Sequence, residues 1–140
     1  MKHLISVEDL TVEDVKDIFN LAEQCKSKAY VLDKQVFAAN LFFEPSTRTK
    51  MSFIVAERKL QMESLDFHEQ LSSISKGESL LDTVKTFEAI GAHVLVIRHE
   101  ADEWSKELTP QVSIPIINAG AGMKDHPTQS LLDAYTIWQF

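Results

Sequence analysis

Cysteine is nearly absent: Cys25 is the only one in 140 residues, so no disulfide can close within the chain. It falls in an amphipathic helical stretch, which predicts a buried thiol. No histidine or cysteine cluster has metal-ligand spacing, and no metal or cofactor is expected. Basic residues are also in deficit, 14 against 21 acidic, for a formal net charge of −7. That balance disfavours nucleic acid and anionic membrane surfaces as partners. Arg48, Lys50, Arg58 and Lys59 lie close in sequence, but acids and apolar residues interleave them and no aromatic stacking pattern accompanies them. A small anion suits them better than a polymer. No apolar run approaches membrane-spanning length, and the stretch from Met1 to Glu8 lacks the apolar centre of a signal peptide. The expected compartment is a reducing cytoplasm. No repeat or low-complexity segment is present.

What the chain does have is the composition of one soluble, cored domain, with 44% hydrophobic and 25% charged residues. Thr11 can cap a helix with Glu13 and Asp14 in its first turn and Val15, Ile18, Phe19, Ala22 and Cys25 along one stripe. A polar connection from Lys26 to Lys34 leads to the nearly continuous apolar run Gln35 to Phe43, which suits a strand buried on both faces. A helix from about Thr47 to Leu60 follows, with Met51, Ile54 and Val55 at helical spacing among the polar Lys50, Glu57 and Arg58. A short strand is expected around Ser64 to Phe67. Ser75-Lys76-Gly77-Glu78 has capping-box spacing ahead of a helix bearing Leu80, Leu81, Val84 and Phe87, with Gly91 at its C′ position. His93 to Arg98 is the clearest strand. A short helix from Ala101 to Leu108, a strand from Ser113 to Ile117, a loop from Asn118 to Asp125 and a helix opening at Pro127 complete the series. Strand and helix alternate four times. This predicts an α/β fold: a four-stranded parallel sheet with helices on both faces and right-handed crossovers.

The most informative run is Phe42-Phe43-Glu44-Pro45-Ser46-Thr47-Arg48-Thr49, where a buried strand gives way to a helix. Ser46 is the expected N-cap. Free amides of the first turn, three hydroxyls and the Arg48 fork would suit a phosphate. Simple capping beside a solvated arginine is the competing reading of that run alone. In open parallel sheets ligands bind beyond the carboxyl ends of the strands. Ser46 to Thr49 follow the first strand, Ser72 to Lys76 the second, Arg98 ends the third, and His126 with Gln129 follows the fourth. Each has an ordinary structural explanation, but together they supply cations and neutral donors around one crevice.

Phe42 to Thr49, Lys76-Gly77-Glu78-Ser79-Leu80, Val96-Ile97-Arg98-His99, Asn118-Ala119-Gly120 and His126-Pro127-Thr128-Gln129 together resemble, in order and over nearly the whole length, the signature blocks of the aspartate/ornithine transcarbamoylase family. The forms Lys76-Gly77-Glu78 and Ile97-Arg98-His99 are similar to its aspartate branch more than its ornithine branch.

The resemblance implies the carbamoyl-phosphate-binding domain of a carbamoyltransferase of pyrimidine biosynthesis, spanning residues 1–140, with no cofactor. By it, Ser46, Thr47, Arg48 and Thr49 hold the phosphate, Arg98 bridges phosphate and carbonyl oxygen, Thr49 and His126 donate to that oxygen, and Gln129 accepts from the carbamoyl NH2. Thr49, Arg98 and His126 are then the catalytic set. It further implies a homotrimer in which Ser72 or Ser73 and Lys76 reach a neighbouring subunit's site. L-aspartate would bind only with a second, amino-acid-binding domain, for which these residues hold no counterpart; the apolar last helix running to Phe140 fits that expectation. The half of an ornithine enzyme and a non-catalytic anion-binding or assembly domain are the alternatives. Ile54 replaces a usual glutamate, Gln61 a usual glycine, Ala121 a common aspartate and Asp125 a common glutamine. The last two bear on the loop that carries His126.

Overall fold

A computed structural model describes residues 1–28, 30–65, 67 and 79–140. Helix α1 (Val12–Ser27) is opened by a complete capping box: Thr11 Oγ1 accepts from the Asp14 amide and the Asp14 carboxylate accepts from the Thr11 amide. Strand β1 (Phe37–Phe42) leads into α2 (Thr47–Lys59), and β2 (Glu63–Leu65) follows. Then come α3 (Leu80–Ala89), β3 (Val94–His99), α4 (Trp104–Leu108), β4 (Ile116–Ala121) and α5 (Pro127–Trp138), with one-turn 3-10 helices at Val7–Asp9 and Thr109–Gln111.

The four strands are all parallel, in the order β2-β1-β3-β4, so the chain reverses its direction of travel across the sheet between β1 and β3. Side chains alternate between the two faces. Ala39, Leu41, Leu95 and Ile97 join Val84 of α3 and Trp104 and Leu108 of α4 in one buried cluster. Asn40, of opposite parity, bonds instead to Glu57 of α2. Val94 and Ile117 lie beside Ile18 of α1 and Leu131 of α5. Helices α3 and α4 thus cover one face, and α1, α2 and α5 the other. Leu95 and Ile97 are fully buried in the central strand, where truncation to alanine costs about 2–5 kcal/mol.

Phe42 pairs with Arg98, which puts Arg98 on the same face as Asn40, toward α2 and α5. The N-terminal segment extends the sheet beyond β4: Leu4 bridges to Ile117 in parallel, its amide donates to the Ile116 carbonyl, and its carbonyl accepts from the Asn118 amide.

Several expectations need correction. The last strand begins after Pro115 and runs through Ala121, so Asn118 to Ala121, read as loop, is strand. Its Asn, Ala and Gly composition hides it from an apolar-run criterion. The helix expected from Ala101 starts at Trp104. The Ser75 capping box lies outside the described residues; α3 is capped by Ser79, whose hydroxyl accepts from the Asp82 amide. Gly91 does stand after that helix, at φ +99°. Cys25 is exposed rather than buried. The α1 stripe is covered at Phe19, which packs against Tyr135 and Trp138 at centroid distances of 5.4 and 5.3 Å, and the last turn gains no such cover. In α2 the pattern is partly inverted: Met51 and Val55 are exposed, while Glu57 is buried.

Candidate functional site

A cavity of about 260 Å³ opens between the N-terminal ends of α2 and α5. Arg48, Thr49, Ser52, Phe53 and Ala56 form one wall; His126, Thr128, Gln129 and Leu132 form the other. The α2 residues recur at steps of three and four, so they share one helical face. Four of the residues anticipated from sequence, Arg48, Thr49, His126 and Gln129, therefore line a single space.

The two helices around it, like α4, have no side-chain cap at their N-termini. Ser46 and His126 occupy the N-cap positions of α2 and α5, yet neither side chain makes a capping hydrogen bond. By contrast, the side chains of Thr11 and Ser79 cap α1 and α3. Each helix N-terminus carries free amide donors and a partial positive charge. Ser46, Thr47 and Arg98, also expected at the site, are not among the residues that line this cavity; Ser46 and Thr47 open α2, where the first-turn amides have no side-chain cap.

Arg98 approaches from β3. Its Nη1 donates to the Ala119 carbonyl at 3.0 Å, which fixes one edge of the guanidinium. Its Nε is buried with no hydrogen-bond acceptor; the Glu44 carboxylate is the nearest counter-charge, with Oε2 3.6 Å away and likewise lacking a hydrogen bond. The side chain lies over Gly120, at φ +140° and with no β-carbon to obstruct it.

His126 is held below the ordinary imidazole range, first by partial burial and then by the positive charge of Arg98. The Arg98 effect places the two side chains in electrostatic reach of each other. The imidazole is therefore mainly neutral at neutral pH. Thr128 Oγ1 stands 3.5 Å from Nδ1; a hydroxyl donating there leaves the ring proton on Nε2. Gln129 turns its Nε2 to Asp133 Oδ1 at 3.1 Å, so its carbonyl oxygen remains available as an acceptor.

The turn that carries His126 is tightly fastened. Ala121 N donates to the Asp125 carbonyl, Asp102 Oδ1 accepts from the Met123 amide, and Ser6 Oγ donates to Asp125 Oδ1. Asn118, fully buried, donates to the Ile5 carbonyl and accepts from the Gly120 amide. Ala121 and Asp125 thus sit in an ordered turn. Sequence reasoning missed Asn118 and Gly120 as supports. The signal was the Asn-Ala-Gly block itself, in which a strand-end glycine marks a close approach. Ser72, Ser73 and Lys76 lie outside the described residues.

Residues 2–139 match the family described as aspartate/ornithine carbamoyltransferase, carbamoyl-P binding domain, and the chain belongs to that family. Among its relatives, the aspartate carbamoyltransferase catalytic subunit of Oceanobacillus iheyensis is 56% identical over 99% of this chain and 46% of its own length. The aspartate transcarbamoylase of Trypanosoma cruzi, solved in complex with carbamoyl phosphate and aspartate, is similar with a TM-score of 0.91 at 36% identity, over 99% of this chain and 44% of that one. The catalytic subunit of M. jannaschii aspartate transcarbamoylase is similar at 37% identity with a TM-score of 0.88, over 99% and 47% respectively. The chain spans about half the length of these relatives. Among the described residues, no helix is long and apolar enough to cross a membrane.

Proposed function

We propose that this chain binds carbamoyl phosphate in the crevice between α2 and α5 and is the carbamoyl-phosphate half of a cytoplasmic aspartate carbamoyltransferase serving pyrimidine biosynthesis. The observation that carries this reading is the convergence of Arg48, Thr49, His126 and Gln129 on one cavity at two helix N-termini whose amides no side chain caps. Donors without acceptors around one small cavity call for an anion. The family and the relatives named above support carbamoyl phosphate as that anion.

In this assignment Ser46, Thr47, Arg48 and Thr49 hold the phosphate with the free α2 amides. The amine of L-aspartate attacks the carbamoyl carbon, and the carbonyl oxygen gathers negative charge. Thr49, Arg98 and His126 donate to that oxygen, while Gln129 accepts from the carbamoyl NH2. The carbonyl re-forms as phosphate departs into the cradle that already holds it, taking up the proton that the amine loses. Each well-placed donor at such an oxygen is worth roughly a hundred- to a thousandfold in rate, and holding both reactants together adds more. Residues 2–139 match the carbamoyl-P binding domain of the family, so we assign L-aspartate binding to a separate part and do not expect these residues alone to complete the transfer. We place Lys76 and Ser72 or Ser73 in the neighbouring subunit's site of a homotrimer.

Calorimetric titration with carbamoyl phosphate tests the reading, with Arg48→Ala as the control. Binding that weakens at least tenfold in the variant supports it. Absence of binding to the unaltered chain, or equal binding to both, overturns it.

A further inference from the structure

Glu57 is only 5% exposed, although it lies on a helix where Met51 and Val55 are 50% and 48% exposed. Its Oε1 accepts from Asn40 Nδ2 in β1 and from Ser64 Oγ in the adjacent β2, each at 2.8 Å. One carboxylate thus ties α2 to two adjacent strands. Glu57 Oε2 and Asn40 Oδ1 are both buried without a hydrogen-bond partner. A half-satisfied buried carboxylate is a poor source of stability, since an apolar residue of similar volume is often neutral or better. Its presence calls for a different account.

The helix supplies one. Ala56, the neighbour of Glu57, lies on the cavity wall together with Arg48, Thr49, Ser52 and Phe53. At its N-terminal end α2 is tethered by the chain running from β1 through Pro45; toward its C-terminal end the described side-chain bonds to the sheet are those of Glu57. Residues 60–62 also join its C-terminal end to β2, and the two hydrogen bonds to two strands add to these chain tethers a direct restraint on rotation of the helix about its own axis. A turn of about 10° at a side-chain radius of about 6 Å moves a donor by roughly 1 Å. A displacement of that size at a reacting centre is worth on the order of a hundredfold.

We propose that Glu57 is a positioning residue for the anion site: through Asn40 and Ser64 it sets the rotation of α2, and so the direction in which Arg48 and Thr49 face His126 and Gln129. The inference rests on the carbamoyl-phosphate reading and deepens it. Glutamine at this position keeps an oxygen able to accept from both donors, whereas methionine keeps the volume and loses both bonds.

The test is calorimetric titration of the chain with carbamoyl phosphate, with far-UV circular dichroism and the unfolding midpoint recorded for every variant. Glu57→Met is expected to fold and to bind at least about tenfold more weakly, while Glu57→Gln stays within about 1.5-fold of the original. A folded Glu57→Met chain with unchanged affinity would make the cluster structural only and overturn the proposal. Should Glu57→Met fail to fold, Ser64→Ala removes one donor at a half-buried position; about threefold weaker binding supports the proposal and unchanged binding overturns it. Arg48→Ala separates the two ideas. If it binds normally, the anion site itself is misassigned and the proposal falls with it; if it loses binding while folded Glu57→Met does not, only the role of Glu57 is lost.

Discussion

Arg98 lies so close over Gly120 that a β-carbon on the glycine would stand 2.7 Å from Nη1 and 3.0 Å from Cζ. The strand-end arginine and the glycine one strand away therefore form one unit, in which the absence of a side chain gives the guanidinium its place.

Gly120→Ala should disturb the site before it disturbs the fold. The new methyl displaces Arg98 from the Ala119 carbonyl, and an L-residue near φ +140° is strained by about 1–3 kcal/mol. The expected outcome is a folded chain with a lower unfolding midpoint and at least tenfold weaker binding of carbamoyl phosphate. Denaturant melts and calorimetry read the two effects separately.

Acid should weaken the fold through histidine before it does so through the carboxylates. His126 and His3 both titrate below the usual 6.5, each mainly through burial, with Arg98 and Lys2 respectively adding positive charge. The unfolded chain then binds protons that the folded chain refuses, so stability is intact above about pH 6.5 and declines as pH falls below it. Asp14, Glu23 and Glu103 are lowered from values of 3.8 to 4.5, so their contribution is lost only in more acidic solution. His126→Gln should flatten the fall in melting temperature between about pH 6.5 and pH 5. An unaltered slope would count against the half-buried, neutral imidazole.

Gln61→Gly should stabilise the protein. The ends of α2 and α3 are alike: Met62 donates to the Glu57 carbonyl and Gln61 to that of Arg58, as Ala92 does to Phe87 and Gly91 to Glu88. The shared position is left-handed, φ +61° at Gln61 and +99° at Gly91. Relieving that strain gains about 1–2 kcal/mol, and the greater freedom of glycine in the unfolded chain offsets roughly half of it. A net rise of about 0.5–1 kcal/mol in urea unfolding is expected, with binding unaffected.

Mixing Arg48→Ala chains with Lys76→Ala chains tests the shared-site arrangement. If each site draws Arg48 from one subunit and Lys76 from the next, mixed trimers contain some intact sites and ligand binding partly recovers. No recovery removes Lys76 from the neighbouring site.

Much of this was legible beforehand because buried strands and polar strand ends have distinct compositions. The apolar runs marked β1 and β3, and rules for parallel sheets placed Arg48, Arg98 and His126 on one edge. What escaped notice depends on contacts across the sheet. β4 carries Asn118 and Gly120 in its interior, residues that local propensity assigns to loops, and only their bonds to Ile5 and within the strand explain them. Glu57 reads as a surface residue until Asn40 is seen behind it. Cys25 shows the converse error, since an apolar stripe is buried only where another element covers it.

The segment beside β4 has a bearing on handling the protein. By pairing with Ile116 and Asn118, Leu4 occupies backbone groups that would otherwise offer a ready template to a foreign strand. A tag or deletion that peels away the first six residues would bare that border, and self-association in concentrated solution would follow.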